Sequence, residues 1–272
     1  MSKLVISPKS VNSLSRIISD LKSYKDLLWI LAWRDYKVRY AQTGLGFAWA
    51  FIQPVFTLLI FILVFNRVAG IKTGDVPYPV YAQSGMVAWT YFSFLLSQAG
   101  SSIIGAQAMI KKIYFPRLVV PLSKAVVGLI DFSISFLLLV ILMLYYGFVP
   151  SGNIIYLPLF ILIALVAGLG VGIWVSALTV RFRDFNHLLP FVVQLGMYAT
   201  PIAYPASKVP AEYQTLYHLN PMAGVVEGFR WSIVGGNAPH PMIYLSLAVV
   251  AVLFITSVFY FNKVEKVMAD IV

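Results

Sequence analysis

Long runs of apolar residues separated by short polar segments dominate this chain of 272 residues. Five stretches contain no Asp, Glu, Lys or Arg, and they run from 47 to 66, 76 to 110, 132 to 180, 185 to 207 and 238 to 262. A helix needs roughly 20 mostly apolar residues to cross the hydrocarbon core of a bilayer. The pattern therefore predicts an all-α polytopic membrane protein.

Polar residues, prolines and glycines divide the apolar runs into six predicted spans. Residues 1–22 are polar and basic and predict a cytosolic N-terminal arm, and residues 23–45 predict an amphipathic interfacial helix. The transmembrane domain is expected to fill 46–272, with short external re-entrant helices in 205–239, between the fifth and sixth spans. The spans themselves are expected at about 47–66, 81–108, 119–146, 155–180, 187–204 and 241–262.

The interfacial helix is predicted from bulky apolar residues that precede three basic ones. Arg34, Lys37 and Arg39 lie among Trp and Tyr residues, and the segment from 27 to 40 is too charged to cross a membrane. Trp and Tyr concentrate at the headgroup level of bilayers. We therefore expect an amphipathic helix in the plane of the interface, although a cytosolic helix packed on other protein has the same pattern.

Composition and charge agree with a membrane protein and exclude most soluble classes. The chain is 60% hydrophobic and 11% charged, whereas globular proteins average about 45–50% apolar and about 25% charged residues. The net charge of +10 follows from 20 Lys and Arg against 10 Asp and Glu. In the six-span topology, 16 of the 20 basic residues fall on the side of the termini, which the positive-inside rule makes cytoplasmic. The charge therefore requires no nucleic-acid partner.

Residue types that catalyse reactions or bind metals are sparse. The chain has no cysteine, and its histidines, His187, His218 and His240, are isolated in sequence. This predicts no metal site and histidines in loops near the headgroups. No phosphate-binding GxxxxGK[ST] loop occurs. ATP-driven work would therefore need an ATPase on another chain, and no cofactor is expected in this one.

Asp131 is the one acidic residue deep inside a predicted span. It lies about 13 residues into the third span, roughly 20 Å along the helix axis. A proton or cation site is one interpretation, because ionisable groups at such depth usually face a cavity or a partner. The favoured interpretation is a structural residue bonded to Gln98 or Gln194. Lys124 is two turns away on the same face, too far for direct pairing with Asp131.

Aromatic residues make up 15% of the chain, and many lie within spans rather than at their ends. Aromatic rings lining a path can contact the C–H edges of sugars weakly at many sites, as a moving polymer requires. Packing or contact with lipid is the alternative for each residue taken singly. The candidates for the path are Trp49, Phe51, Phe56, Trp89, Tyr91, Phe92, Phe191 and Tyr198.

Four groups of short motifs occur in the order and spacing of one family. The first is WRDYKVRY at 33–40, followed by Gly46 and Gln53-Pro54, and the second is YFPR at 114–117 with PLS at 121–123. The third is RFRD at 181–184 with LLP at 188–190 and TPI at 200–202. The fourth is NPM at 220–222 with EGFRW at 227–231. Together they resemble the membrane subunits of type-2 ABC exporters for polysaccharides and polyol phosphates. The O-antigen exporters are the most similar subfamily.

The resemblance implies an assembly and a cargo. The assembly is a homodimer in a bacterial inner membrane, bound to two cytoplasmic ATPase subunits that carry ATP and Mg. The cargo is a polysaccharide carried on a lipid, typically undecaprenyl diphosphate. The glycan is drawn through a channel between the two subunits, and membrane lipids surround the dimer. A capsule, teichoic acid or small-molecule permease is an alternative within the superfamily. A membrane glycosyltransferase or ion-coupled carrier is the alternative from another class.

The resemblance also implies roles for particular residues. Arg34, Lys37 and Arg39 would meet the lipid diphosphate at its entry, although anchoring to anionic lipid is an equal alternative. Residues 205–239 would form the external gate, in which Glu227 and Arg230, three apart, are expected to pair on a helix. The loop that contacts the ATPase would consist of Lys111, Lys112, Ile113, Tyr114, Phe115, Pro116 and Arg117.

Overall fold

A computed structural model describes residues 22–40 and 46–271 of the chain. The predicted arm at 1–22, apart from Lys22, and the end of the interfacial segment at 41–45 lie outside the described residues. Every regular element in the described part is helical, which confirms the all-α prediction. The α-helices are α1 (Lys25–Tyr40), α2 (Trp49–Phe61), α3 (Tyr78–Gly100), α4 (Ser102–Gly105), α5 (Gln107–Ile110), α6 (Val119–Tyr145), α7 (Leu157–Arg181), α8 (Phe185–Ala199), α9 (Gln214–His218), α10 (Pro221–Val234) and α11 (Ile243–Ile271). A π-helix at Ile62–Val68 continues α2. Short 3-10 turns precede α2 (Gly46–Ala48), α7 (Gly152–Tyr156) and α9 (Ala206–Lys208 and Ala211–Tyr213).

Within the described residues, four helical segments are long and apolar enough to cross a membrane. They are Trp49–Val68, Val119–Tyr145, Gly152–Arg181 and Ile243–Glu265, and they correspond to the first, third, fourth and sixth predicted spans. The second and fifth predicted spans correspond to α3, which is long but rich in polar residues, and α8, which has 15 residues. The count of six spans depends on these two helices and stays a prediction.

The second predicted span, 81–108, is wrong at both ends, since α3 begins at Tyr78 and ends at Gly100. Serine hydroxyls turn back on the backbone at this end: Oγ of Ser101 donates to the carbonyl of Ser97, and Oγ of Ser102 donates to that of Ala99. The chain continues from here as two short helices, α4 and α5, instead of one long span.

Helix α3 lies at the centre of the subunit, where it packs against α6, α7 and α10. Glycines on α7 allow this close approach: a Cβ atom added to Gly168 would lie 2.7 Å from Cβ of Leu95, and one added to Gly172 would lie 2.9 Å from the Leu95 carbonyl oxygen. The small-xxx-small pattern of this helix therefore serves close packing, as expected for membrane helices. Helix α11 packs against α7 as well, where Gly170 of α7 faces Phe254.

Candidate functional site

Two ion pairs join α1, the predicted interfacial helix, to α6, which is long and apolar enough to cross a membrane. Nζ of Lys124 contacts Oδ2 of Asp35, and Nη1 of Arg39 lies 2.5 Å from Oδ2 of Asp131. Asp35 and Arg39 are four residues apart on α1, and Lys124 and Asp131 are seven apart on α6, so each couple shares one helix face. The guanidinium of Arg39 also lies 4.8 Å from the ring centre of Phe94 on α3. We call these four charged residues the α1–α6 clasp.

The clasp gives Asp131 a partner that the sequence interpretation did not name. Asp131 forms an ion pair with Arg39 of α1. Lys124, judged too far from Asp131, pairs with Asp35 instead. Sequence reasoning missed both pairs because it considered each helix by itself.

The three basic residues predicted to meet the diphosphate are all exposed. Nη2 of Arg34 lies 2.7 Å from Oδ1 of its neighbour Asp35, and its side chain is 48% exposed, against 40% for Arg39. Nζ of Lys37 lies 5.3 Å from the ring centre of Trp33. The predicted contact of these residues with a diphosphate stays a prediction.

On the opposite side of the molecule, Arg230 of α10 is buried at the junction of three segments. Asn220 starts this helix, since its side chain accepts a hydrogen bond from the backbone N–H of Met222 and Pro221 occupies the first turn. The Arg230 guanidinium donates to the Tyr81 hydroxyl at 2.9 Å, to the Tyr81 carbonyl at 3.3 Å and to the carbonyls of two residues after α8. These last two are Pro201 at 2.7 Å and Ile202 at 2.8 Å.

A glycine on α3 makes room for this guanidinium. A Cβ atom added to Gly85 would lie 2.4 Å from Nη2 of Arg230. The planar fork of arginine supplies the several donors that this arrangement uses. Arg230 therefore ties α10 to α3 and to the chain segment that leaves α8.

The predicted pairing of Glu227 with Arg230 is wrong, because Arg230 turns inward toward α3 while Glu227 faces α9. Oε2 of Glu227 lies 3.6 Å from Nε2 of His218. His218 is fully buried, which corrects the prediction of a loop histidine near the headgroups. Its ring centre lies 5.8 Å from that of His240, so two of the three histidines meet in space. The sequence separation of these residues gave no signal of their contact.

His218 and Glu227 form a buried contact between two titratable groups. Nδ1 of His218 lies 2.8 Å from the Gln214 carbonyl oxygen, which can only accept, so Nδ1 carries a hydrogen. Nε2 of His218 and Oε2 of Glu227 are both buried and have no hydrogen-bond partner among the described residues. Burial raises the pKa of the Glu227 carboxyl above its usual range, against the opposing influence of His218 and Arg230.

The loop from 111 to 117 presents some of its predicted contact residues and hides others. Lys111, Lys112 and Tyr114 are exposed, and the Tyr114 side chain is 89% accessible. Phe115, by contrast, is buried in the core of its own subunit, so its side chain offers almost no surface to a partner in this structure. Pro116, which follows Phe115, is half-buried.

Arg117 joins this loop to the C-terminal part of α11. Its backbone N–H donates to Oε1 of Glu265 at 2.8 Å, and its guanidinium donates to the Glu265 carbonyl. The loop is therefore held at the end of α11 that carries the C-terminus. Sequence reasoning did not find Glu265, which is 148 residues away.

A family model described as "ABC-2 type transporter" matches residues 26–234. This chain belongs to the ABC-2 type transporter family. The matched range begins next to the first residue of α1 and ends at the last residue of α10, so it includes the α1–α6 clasp, the exposed loop and Arg230. Helix α11 and its Glu265 lie beyond the match.

The ABC-2 chain is also similar to curated relatives over most of its length. An O-antigen export system permease protein RfbA of Myxococcus xanthus is 29% identical over 242 residues, which cover 88% of this chain and 92% of the relative. A protein of the same name from Klebsiella pneumoniae is 27% identical, with 90% and 95% covered. The polysialic acid transport protein KpsM of Escherichia coli is 21% identical, with 87% and 93% covered.

The predicted path-lining aromatics of this ABC-2 chain divide into two groups. Trp89, Tyr91 and Phe92 on α3 are buried in the core of the subunit, so their prediction as lining residues of a path between subunits is wrong. Tyr91, for example, is 1% exposed and lies 5.3 Å from the ring of Phe132. Phe51 is half-buried. The exposed group consists of Trp49, Phe56, Phe191 and Tyr198.

The His218–Glu227 contact predicts a pH dependence of stability. Because its pKa in the folded state is raised, the Glu227 carboxyl favours folding fully below the pKa of an exposed glutamate, about 4.3. This contribution is lost as the pH rises through the folded pKa. Glu227→Gln keeps an amide donor toward Nε2 but cannot ionise, so the melting temperature of the parent relative to this variant should fall as the pH rises above about 4.3.

The matched control for this measurement is Glu212→Gln. Glu212 is exposed on the short 3-10 turn that precedes α9, so its variant should follow the pH profile of the parent. Melting curves of the parent and Glu227→Gln that stay parallel as the pH rises would contradict the assignment.

Proposed function

We propose that this chain is the membrane permease subunit of an ABC transporter that exports O-antigen polysaccharide for lipopolysaccharide biosynthesis. The observation that carries the proposal is similarity to O-antigen export permeases over 92–95% of their own length. The cargo is carried on undecaprenyl diphosphate. Energy comes from ATP bound with Mg on a separate cytoplasmic subunit, and the permease itself makes and breaks no bond.

The working unit is a homodimer of this chain. Two of its helices have few buried side chains within the subunit: α2 buries Leu58 and Phe61, and α8 buries Leu189. Their exposed aromatics, Trp49 and Phe56 on α2 and Phe191 and Tyr198 on α8, are available to line a path between two copies. Exposed apolar faces of helices in a membrane contact either lipid or another chain. In the dimer, the exposed faces of α2 and α8 contact lipid in part and the second subunit in part.

The topology in the inner membrane has six spans with both termini in the cytoplasm. Helix α1, in the predicted interfacial segment 23–45, lies at the membrane surface, the permease domain begins at 46, and α9 with α10 forms the external gate between the fifth and sixth spans. The exposed loop is joined to the C-terminal part of α11 through Arg117 and Glu265, which supports placing that loop on the side of the termini. Positive-inside counting supports the same orientation.

A capsular polysaccharide permease is the second candidate, favoured by the similarity to the polysialic acid transport proteins. A small-molecule permease is the third, since the inner membrane transport permease YadH of Escherichia coli is 23% identical over 68% of this chain. Both show lower identity than the O-antigen permeases. O-antigen is therefore the cargo that we propose.

Removal of this chain from its native strain tests the proposal. The expected result is loss of O-antigen from the cell surface, with the lipid-linked glycan accumulating on the cytoplasmic side. Loss of capsule with normal O-antigen would identify the second candidate as correct, and normal amounts of both would overturn polysaccharide export. Restoration by the intact chain is the control.

Tyr114 provides a test of the ATPase contact. Tyr114→Ala should weaken binding of the cognate ATPase by about thirtyfold, because an interface aromatic contributes about 2 kcal/mol. Stability should stay unchanged, since the ring has no buried contact to lose. Binding is measured with purified proteins by biolayer interferometry. Tyr145→Ala is the control, because that ring is equally exposed at the other end of α6, and equal affinities of the two variants would contradict the assignment.

A further inference from the structure

A cavity of about 480 Å³ lies at the end of the helical segment Trp49–Val68, which is long enough to cross a membrane. Its wall comes from the π-helix Ile62–Val68, the loop that follows it, the start of α3, and Tyr146 at the end of α6. Tyr146 follows Lys124 of the α1–α6 clasp by 22 residues, or about 33 Å along a helix axis. The hydrocarbon core of a bilayer is about 30 Å thick. The clasp and the cavity are therefore separated by about one hydrocarbon core.

Hydrogen bonds hold the loop that carries Lys72 against the π-helix that carries Arg67. The N–H of Ile71 donates to the Phe65 carbonyl at 2.9 Å, and Nδ2 of Asn66 donates to the Ile71 carbonyl at 3.2 Å. The backbone directly before Lys72 is thus fixed on both sides, and both basic residues lie in one wall. Short π-helices are uncommon and frequently occur at functional sites.

The positive charge of this wall has no counter-charge among the described residues. Arg67 and Lys72 are both exposed, and neither forms an ion pair there. The wall contains no Asp or Glu, and Asp75, in the same loop, lies outside it. In the six-span topology only four of the 20 basic residues fall on this side of the membrane. Two of those four therefore share one cavity.

The neutral polar side chains of the wall already have partners in the protein. Oγ1 of Thr73 donates to the Val76 carbonyl at 2.6 Å, and the Tyr78 hydroxyl donates to the Ala203 carbonyl at 3.1 Å. A ligand in the cavity therefore meets chiefly the two cations. They repel a cation, whereas an anion gains a charge-assisted contact from each. The planar fork of an arginine matches the oxygens of a phosphate in particular.

An apolar surface adjoins the cations and distinguishes a lipid from a soluble anion. Leu63, Val64 and Val68 belong to the same π-helix as Arg67, and all three are exposed. Leu63 precedes Arg67 by about one turn, so the two side chains share one side of the helix. A soluble phosphate would use the cations alone. A lipid places its phosphate at the cations and its acyl chains along the apolar surface, where burial is favourable.

We propose that this cavity binds the phosphate of an anionic phospholipid whose acyl chains lie along the exposed face of the π-helix. Such a lipid is a ligand in addition to the exported cargo, and it joins the end of the first span to the start of α3. Its place in the outer leaflet rests on the topology proposed above. The cavity, the two cations and the apolar face do not rest on it.

Native mass spectrometry of the purified full chain in detergent, titrated with phosphatidylglycerol, tests this site. The test variant is Arg67→Gln combined with Lys72→Gln. The matched control is Lys25→Gln combined with Lys208→Gln, which removes the same charge from two exposed residues outside the cavity wall. Because the assay contains neither glycan nor ATPase, its outcome is independent of the proposed export function.

The expected result is that loss of both cations weakens phosphatidylglycerol binding by about thirtyfold, since one cation near an anionic lipid surface contributes about a factor of five. The control variant should bind this lipid like the parent. Without lipid, the test variant should unfold at the temperature of the parent, because both side chains are exposed and form no ion pair with the rest of the described chain. Phosphatidylcholine, which has no net charge, should bind the parent less tightly than phosphatidylglycerol.

Equal weakening in the test and control variants would show a general effect of charge and overturn the site. Equal binding of phosphatidylcholine and phosphatidylglycerol would overturn the selection of an anion. Displacement of phosphatidylglycerol by inorganic phosphate would identify a soluble ligand instead. Tighter binding of undecaprenyl diphosphate at the same two cations would identify the carrier of the exported glycan, and either displacement would overturn the phospholipid.

Discussion

Replacement of Arg230 by alanine is expected to abolish export and to destabilise the subunit by at least about 3 kcal/mol. Each hydrogen bond from a charged donor contributes about 1.5–3 kcal/mol, and the guanidinium makes three of 2.9 Å or shorter to α3 and to the segment after α8. Its removal leaves buried carbonyl groups of Pro201 and Ile202 without this donor. Thermal unfolding in detergent and surface O-antigen are the two measurements.

A gentler variant separates the role of Arg230 from a general loss of folding. Gly85→Ala leaves the charge in place but puts a methyl group 2.4 Å from Nη2 of Arg230. It should lower both stability and export, but by less than the replacement of Arg230 by alanine does. Gly105→Ala is the matched control, because a Cβ atom there meets no heavy atom within 4 Å. Indistinguishable behaviour of the two alanine variants would contradict the account of Arg230.

Reversal of one charge in the α1–α6 clasp is expected to reduce export at least tenfold, and reversal of both charges to restore much of it. Asp131→Arg places two guanidinium groups where Arg39 now lies 2.5 Å from a carboxylate. Like charges at such a distance repel, so α1 should separate from α6. The double variant Arg39→Asp with Asp131→Arg puts the carboxylate on α1 and the guanidinium on α6, so the ion pair can form again.

The clasp prediction is measured as a double-mutant cycle on surface O-antigen and on thermal unfolding. Contacting pairs usually show coupling of about 0.5–3 kcal/mol. Lys25→Glu is the control, since Lys25 is an exposed basic residue in the first turn of the same helix and is not part of the clasp. Additive effects of the two reversals would show that Arg39 and Asp131 act independently, contrary to the clasp.

Apolar runs predicted the helices of this chain well, because a membrane helix is specified by its own length and composition. The four most apolar spans follow from residues that are adjacent in sequence. The end of α3 at Gly100 was harder to predict, since the run without charged residues continues to Ile110. A hydropathy pattern does not show where a helix ends within such a run.

The site was harder to predict because it depends on contacts between distant segments. Tyr91 and Tyr198 are both tyrosines in apolar helices, and the central position of α3 is what buries the first and leaves the second exposed. Tyr114 is exposed whereas the adjacent Phe115 is buried, and this difference depends on how the loop packs against the rest of the subunit. One signal was present in the sequence: Asp35 before Arg39 on one helix complements Lys124 before Asp131 on another.

The central claim is that this subunit moves a lipid-linked glycan with energy from a separate ATPase. The most direct measurement uses vesicles that contain the purified chain, with or without its cognate ATPase, and follows lipid-linked O-antigen across the membrane. The account predicts transfer that requires the ATPase and ATP together, with ATP hydrolysis stimulated by the glycan. Transfer by the chain without the ATPase, or none when both proteins and ATP are present, would contradict it.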